Sequence, residues 1–132
     1  MAKALTGQQM MKLKQRLQER NGELRAKIQQ ELMRSDNETF AELAGRVHDE
    51  GDASVADLLT DIRIATVDNL VREAKDIEGA LKRMEEGVYG ICEECGGYIE
   101  PERLMAHATA RRCFNCQTQY EKTHAGEQRF SL

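Results

Sequence analysis

Four cysteines, Cys92, Cys95, Cys113 and Cys116, lie within 25 residues in the spacing C-x2-C-x17-C-x2-C. Two residues between thiolates let both sulfurs of a pair reach one ion at about 2.3 Å in a tetrahedron. Gly96, directly after the second cysteine, suits the close backbone approach that such a knuckle requires. Four thiolates close the coordination sphere, whereas a catalytic zinc keeps one position open for water. The spacing therefore predicts one structural Zn2+, ahead of a rubredoxin-like iron or a redox dithiol pair. His107 and His124 read as surface residues, because four sulfurs already suffice. Tyr98, Ile99, Leu104 and Met105 are too few to hold the segment alone, so the metal folds it.

A second group of residues is acidic. Between Asn37 and Asp61 seven acids (Glu38, Glu42, Asp49, Glu50, Asp52, Asp57, Asp61) stand against one base, Arg46. The first 34 residues carry eight bases and three acids, and Arg103 to Lys122 carries four bases and one acid. Glu38, Glu42, Asp57 and Asp61 read as solvating charges. Asp49 and Asp52 sit on a turn, where side chains are presented to a partner and little core depends on them. An acidic tip is pushed away from phosphates unless a cation or a basic wall receives it.

The elements that must position these groups are helical. From Thr6 to about Arg34, Met10, Leu13, Leu17, Leu24, Ile28 and Leu32 form one stripe. Thr6 with Gln9 makes a capping box at its start, and Ser35 with Glu38 a second one, marking a break before a shorter helix to about Val47. Arg46 to Asp52 breaks the pattern, with Gly51 for the turn and Asp52 as a cap. A long helix is expected from Ala53 to about Glu86. In it Val67, Leu70, Ala74, Ile77, Leu81, Met84 and Val88 alternate steps of three and four, a heptad seam that wants a partner helix. Counted outward from the turn, the arms reach roughly 50–57 Å at 1.5 Å per residue. Gly87-Val88-Tyr89-Gly90 ends the helix, Gln117 to His124 forms a short helix, and Ala125 to Leu132 a frayed tail.

The fold class is thus mainly α: a long antiparallel coiled-coil hairpin, a small C-terminal four-cysteine finger and a short terminal helix. The domains are residues 1–88 with an acidic tip at about 46–54, the finger over 89–124 and a tail over 125–132. Charged residues make up 32% of the 132 and aromatics 5%, so no thick globular core is available and packed helices or a metal must compensate. Pro101 is the lone proline. No apolar run approaches the roughly 18–20 residues that span a bilayer, and Met1 to Thr6 lacks the features of a secretory signal. A cytoplasmic chain is expected, in which paired cysteines read as metal ligands before disulfides. The net charge of −4 argues against a chain that coats nucleic acid.

With these residues in hand, the chain resembles the DksA/TraR family of bacterial transcription factors. The resemblance rests on the hairpin with its acidic tip, on Gly87-Val88-Tyr89-Gly90-Ile91-Cys92 entering the finger, on the cysteine spacing and on Arg103-Leu104-x-Ala106. It implies a non-enzymatic, monomeric regulator that binds RNA polymerase without binding DNA, the hairpin entering the secondary channel and the finger near its rim. The family tip motif D-x-x-D-x-A is matched by Asp49 and Asp52, with Ser54 in place of alanine. Arg103, Arg111 and Arg112 become candidate contacts to the polymerase rim. Members that work with guanosine tetraphosphate carry basic residues where this chain has Asp76, His107 and Gln117, so little synergy with that alarmone is expected. Three other readings compete. One is a Gre-like factor whose Asp49 and Asp52 hold a catalytic magnesium for transcript cleavage. Another is a nucleic-acid-binding zinc module using Arg103, Arg111, Arg112 and Lys122, and the third is a zinc-dependent scaffold or sensor.

Overall fold

A computed structural model describes residues 4–34, 38–49, 54 and 65–123. Five helices carry this part of the chain: α1 (Gly7–Met33), α2 (Glu38–Asp49), α3 (Ala65–Glu85), α4 (Pro101–Ala106) and α5 (Phe114–Thr123). Ser35, Asp52, Ala53 and the tail expected over 125–132 lie outside the described residues, as do 55–64 of the expected long helix.

α1 starts where its capping box sets it. The Thr6 hydroxyl accepts from Gln9 N–H at 3.1 Å, and the Gln9 amide oxygen accepts from Thr6 N–H at 2.9 Å. Two of the first-turn donors that a helix leaves unpaired are thereby satisfied. The predicted stripe is the buried one: Leu13, Leu17, Leu24, Ile28 and Leu32 are inaccessible or nearly so, with Met10 partly covered.

α3 lies antiparallel to α1, since Leu5 at the start of α1 meets Gly90 just past the end of α3. Val67, Ala74, Ile77 and Ala80 are buried along it, and Leu70, Val71, Leu81 and Met84 pack partly against the same core. A forked ion pair ties the two helices outside the seam, Arg20 Nε to Glu73 at 2.6 Å and Arg20 Nη2 to Glu73 at 2.9 Å. The heptad overran by one position. Val88, expected in the seam, is exposed, because α3 has already ended. Gly87, at φ +76°, lets its own N–H reach Met84 O (3.3 Å) and Val88 N–H reach Arg83 O (2.9 Å). This pair of bonds is a Schellman cap, and it needs a left-handed residue where only glycine is unstrained.

α2 departs from the expected arm. It does not prolong α1 but folds back along it: Arg25 Nη1 donates to Val47 O at 3.3 Å, and Ala44 and Val47 are fully buried in the core that holds Leu24, Ile28 and Leu32. The physical reason is area. A 12-residue helix with one apolar face buries that face by lying on α1, and it would leave the face in water if it ran on alone. Asp49, placed by sequence on a turn, is the last residue of α2, and Ser54 is partly buried.

Candidate functional site: a four-cysteine metal centre

The finger starts from the Schellman cap. Ile91 and Tyr98 pair in an isolated antiparallel bridge, with Ile99 N–H on Gly90 O at 2.8 Å and Cys92 N–H on Gly97 O at 2.7 Å. Between them the chain makes a knuckle. Gly96, at φ +76°, turns its N–H onto Cys92 O at 3.0 Å, which carries Cys95 back beside Cys92. The second pair comes from the turn before α5 and from its first turn. Glu100, ahead of Pro101 at the start of α4, accepts the Phe114 N–H at 3.2 Å and so caps α5. Beneath the knuckle Tyr89, Ile99 and Leu104 form a small buried core. Tyr98 and Met105, counted with that core from sequence, are exposed and partly buried respectively.

The four sulfurs converge. All lie within 4.8 Å of one another, and the Cys95 and Cys113 Sγ atoms are 4.0 Å apart. Ligands at about 2.3 Å from a tetrahedral zinc stand about 3.8 Å from each other. The donor set therefore fits one Zn2+ held by Cys92, Cys95, Cys113 and Cys116, with no vertex left for water or substrate. Among the described residues no other group of histidine, cysteine and acid ligands converges this way. His107 ends α4 on the surface, away from the sulfurs. His124 is outside the described residues.

Electrostatics within the cluster match that role. Burial raises the Cys92 thiol, yet the backbone N–H groups of Cys95, Cys113 and Glu94 outweigh it and hold it well below the usual thiol range. Cys116 is pushed the other way, first by the hydrogen bond it shares with Cys113. Sulfurs this close do not all ionise unless a cation stands between them.

The arginines around the finger divide sharply. Arg112 is only 12% exposed; its guanidinium pairs with Glu93 at 2.9 Å and Glu94 at 3.3 Å and lies 3.9 Å over the Tyr120 ring. Arg103 donates its Nε to the Arg112 carbonyl at 3.0 Å. Both hold the finger together, while Arg111 alone of the three is exposed. A cleft of about 540 Å³ brings together Asp76 from α3 with His107, Arg111 and Gln117. The three positions singled out from sequence thus share one surface. The sequence reading gave no role to Arg16 and Arg83, which join helices to finger, or to the Tyr89 hydroxyl, which bonds within the finger. Arg16 Nη1 donates to Met105 O at 3.0 Å, Arg83 Nη2 to Thr109 O at 3.5 Å, and the Tyr89 hydroxyl to Ala108 O at 2.7 Å. Burial pushes the Tyr89 phenol up to about 12. Desolvation, and then the nearby Arg111, lowers Arg83 from its ordinary value. Arg16 and Arg83 carry no motif, and the one available signal was a long cation facing the finger from each helix.

The comparisons with known proteins meet this geometry at the finger. Residues 87–122 match the family described as prokaryotic dksA/traR C4-type zinc finger. An RNA polymerase-binding transcription factor DksA of Caulobacter vibrioides (strain NA1000 / CB15N) is 32% identical over 90 residues, 68% of this chain and 58% of that protein. The finger is of the DksA/TraR family type. A protein named RNA polymerase-binding transcription factor DksA in Escherichia coli (strain K12) is 46% identical over 44 residues, 33% of this chain and 29% of that one. An uncharacterized protein of Aquifex aeolicus (strain VF5) is 38% identical over 66 residues, 50% and 41% respectively. The matched segments thus span 58% or less of these relatives' own lengths. No solved structure matches the chain significantly. Within the DksA/TraR family the four cysteines are the C4 set, and one structural Zn2+ is the cofactor. No helix among the described residues is long and apolar enough to cross a membrane.

Proposed function

We propose that this chain regulates transcription by binding RNA polymerase, without catalysing a reaction and without binding DNA. The observation that carries the reading is the closed four-sulfur finger of DksA/TraR type, bonded to both α1 and α3 through Arg16 and Arg83. A metal centre with no open vertex serves as a rigid base, and the chemistry left for function is presentation of other groups. Relatives named for RNA polymerase binding support the choice of partner. In this reading the helical arm enters the secondary channel of the polymerase, and Asp49 with Asp52 acts near the active site while Ser54 tunes the contact. Arg111 is the rim contact, because Arg103 and Arg112 are already spent inside the finger. α2 must leave α1 for Asp49 to reach the end of the arm.

The cleft around Asp76, His107 and Gln117 supports weak synergy with guanosine tetraphosphate: an acid lines it, and of its three arginines Arg112 is paired with Glu93 and Glu94 and Arg103 is bonded to a carbonyl. A several-fold alarmone enhancement at a ribosomal promoter would refute that. The partner itself is tested by competition with a labelled Gre-type factor for bacterial core RNA polymerase. Displacement by the wild type is expected. Asp49→Asn/Asp52→Asn is expected to displace equally well yet fail to shorten promoter-complex lifetime. No displacement at micromolar concentration defeats the proposal, and cleavage of a backtracked transcript would favour the Gre-like alternative.

A further inference from the structure

Six large apolar side chains are exposed among the described residues, and three of them, Val88 (43%), Ile91 (37%) and Tyr98 (51%), belong to one feature. Ile91 and Tyr98 oppose each other across the bridge that opens the finger. Directly opposed residues of an antiparallel pair project from the same face. Ile91 N–H donates to Val88 O at 3.2 Å, which fixes the valine one turn away. These side chains stand on the backbone that also carries the first knuckle, and the finger does not need them inside. Its interior is filled by Tyr89, Ile99 and Leu104. Fixed apolar groups gathered in water mark a place where something docks.

The charge of the chain segment that carries them says what. From Glu85 to Glu102 there are six acids (Glu85, Glu86, Glu93, Glu94, Glu100, Glu102) and no lysine or arginine. Arg112 pairs with both Glu93 and Glu94, leaving one net negative charge there, and Glu100 is occupied in capping α5. Glu85, Glu86 and Glu102 remain exposed and without an ion pair among the described residues. The geometry points to a docking surface for a basic, apolar protein segment. An aliphatic or aromatic anchor covers Ile91 and Tyr98, and lysines or arginines of the same segment lie against Glu85, Glu86 and Glu102. The acids turn away nucleic acid and acidic peptides alike. That the segment belongs to RNA polymerase rests on the proposed function; the face is then a contact separate from Asp49 and Asp52.

Two measurements judge the surface and its occupant apart. Zinc-loaded full-length chain is titrated, under NMR observation, with an amphipathic peptide of leucine and lysine and with its leucine–glutamate counterpart. Saturable shifts at Val88, Ile91 and Tyr98 are expected with the lysine peptide alone, lost in an Ile91→Thr/Tyr98→Ser variant that still holds one zinc. Shifts with both peptides, or with neither, overturn the surface. In the polymerase competition the same double variant is expected to bind about tenfold more weakly, the effect of losing an interface anchor, while Asp49→Asn/Asp52→Asn is unchanged. Unaltered competition by Ile91→Thr/Tyr98→Ser overturns polymerase as the occupant. Failure of the wild type to compete defeats the proposed function instead, and the peptide titration still decides the surface. If sedimentation shows the double variant dissolving a wild-type dimer, the occupant is a second copy and the proposal falls.

Discussion

Replacing Leu104 by alanine tests whether the finger's small core and its metal are one cooperative unit. Leu104 is fully buried, and its Cδ1 lies 3.6 Å from where a Cβ on Gly90 would stand. Truncating a buried leucine costs about 2–5 kcal/mol, more where the surroundings cannot collapse. Here the bridge and the knuckle fix the backbone on both sides, so a middle value of about 3 kcal/mol is expected. Ligands of a structural zinc are brought together only by folding, so the cost is charged to metal affinity. At about 1.4 kcal/mol per decade that is roughly 150-fold weaker zinc binding. A chelator competition read through a zinc-responsive dye measures it directly, with far-ultraviolet circular dichroism recording α1 and α3 in the same samples. Tyr89→Phe is the graded control: it removes the hydrogen bond to Ala108 O and little volume, and should cost about 1 kcal/mol, near fivefold. Unchanged zinc affinity in Leu104→Ala together with a lowered melting temperature of the helices would refute the reasoning, because the leucine would then belong to the helical core.

Stripping the zinc is expected to release amide protection over residues 89–123 while α1 and α3 keep most of their helicity, as hydrogen exchange with and without chelator would show. Arg25→Ala removes the bond to Val47 O and should let α2 leave α1; distances between spin labels on the two helices would lengthen, and an unchanged distribution would show that apolar packing alone holds α2. The Arg20 hydrogen bonds hold the Glu73 carboxyl below its ordinary 4.5, so the pair's contribution is complete above about pH 4.5 and is lost as pH falls through the lower folded value. With both side chains more than a third exposed, Glu73→Gln should cost about 0.5 kcal/mol at pH 7 and nothing in strong acid, as urea unfolding at the two pH values would report.

What the sequence made legible follows from how local each signal is. The capping box at Thr6 and Gln9, the leucine stripe of α1 and the C-x2-C pairs act over three or four residues, and each stands in the structure where its spacing put it. The direction of α2 was not legible. Helical period tells which face of Glu38–Asp49 is apolar but not which surface will cover it, and a break after Arg34 permits either a straight arm or a return. The end of the seam was legible in principle: Gly87 was the signal, and the unbroken three-four rhythm through Val88 hid it. The arginines show the reverse failure. Arg103, Arg111 and Arg112 look alike in sequence, yet only Arg111 is exposed, because the acids that engage Arg112 and the carbonyl that engages Arg103 come from other parts of the finger.

Two bonds that fasten the finger to its helices and a third inside the finger share a form: a side chain of Arg16, Arg83 or Tyr89 donates to a main-chain carbonyl at Met105, Thr109 or Ala108. Every residue type offers that carbonyl. These bonds therefore ask nothing of the side chains at 105, 108 and 109, of which Met105 and Ala108 answer to the core they pack against, while the bonds depend on the identities of 16, 83 and 89. The side chain at Thr109 can be rewritten over evolutionary time, or by an engineer, with the carbonyl that Arg83 holds left in place.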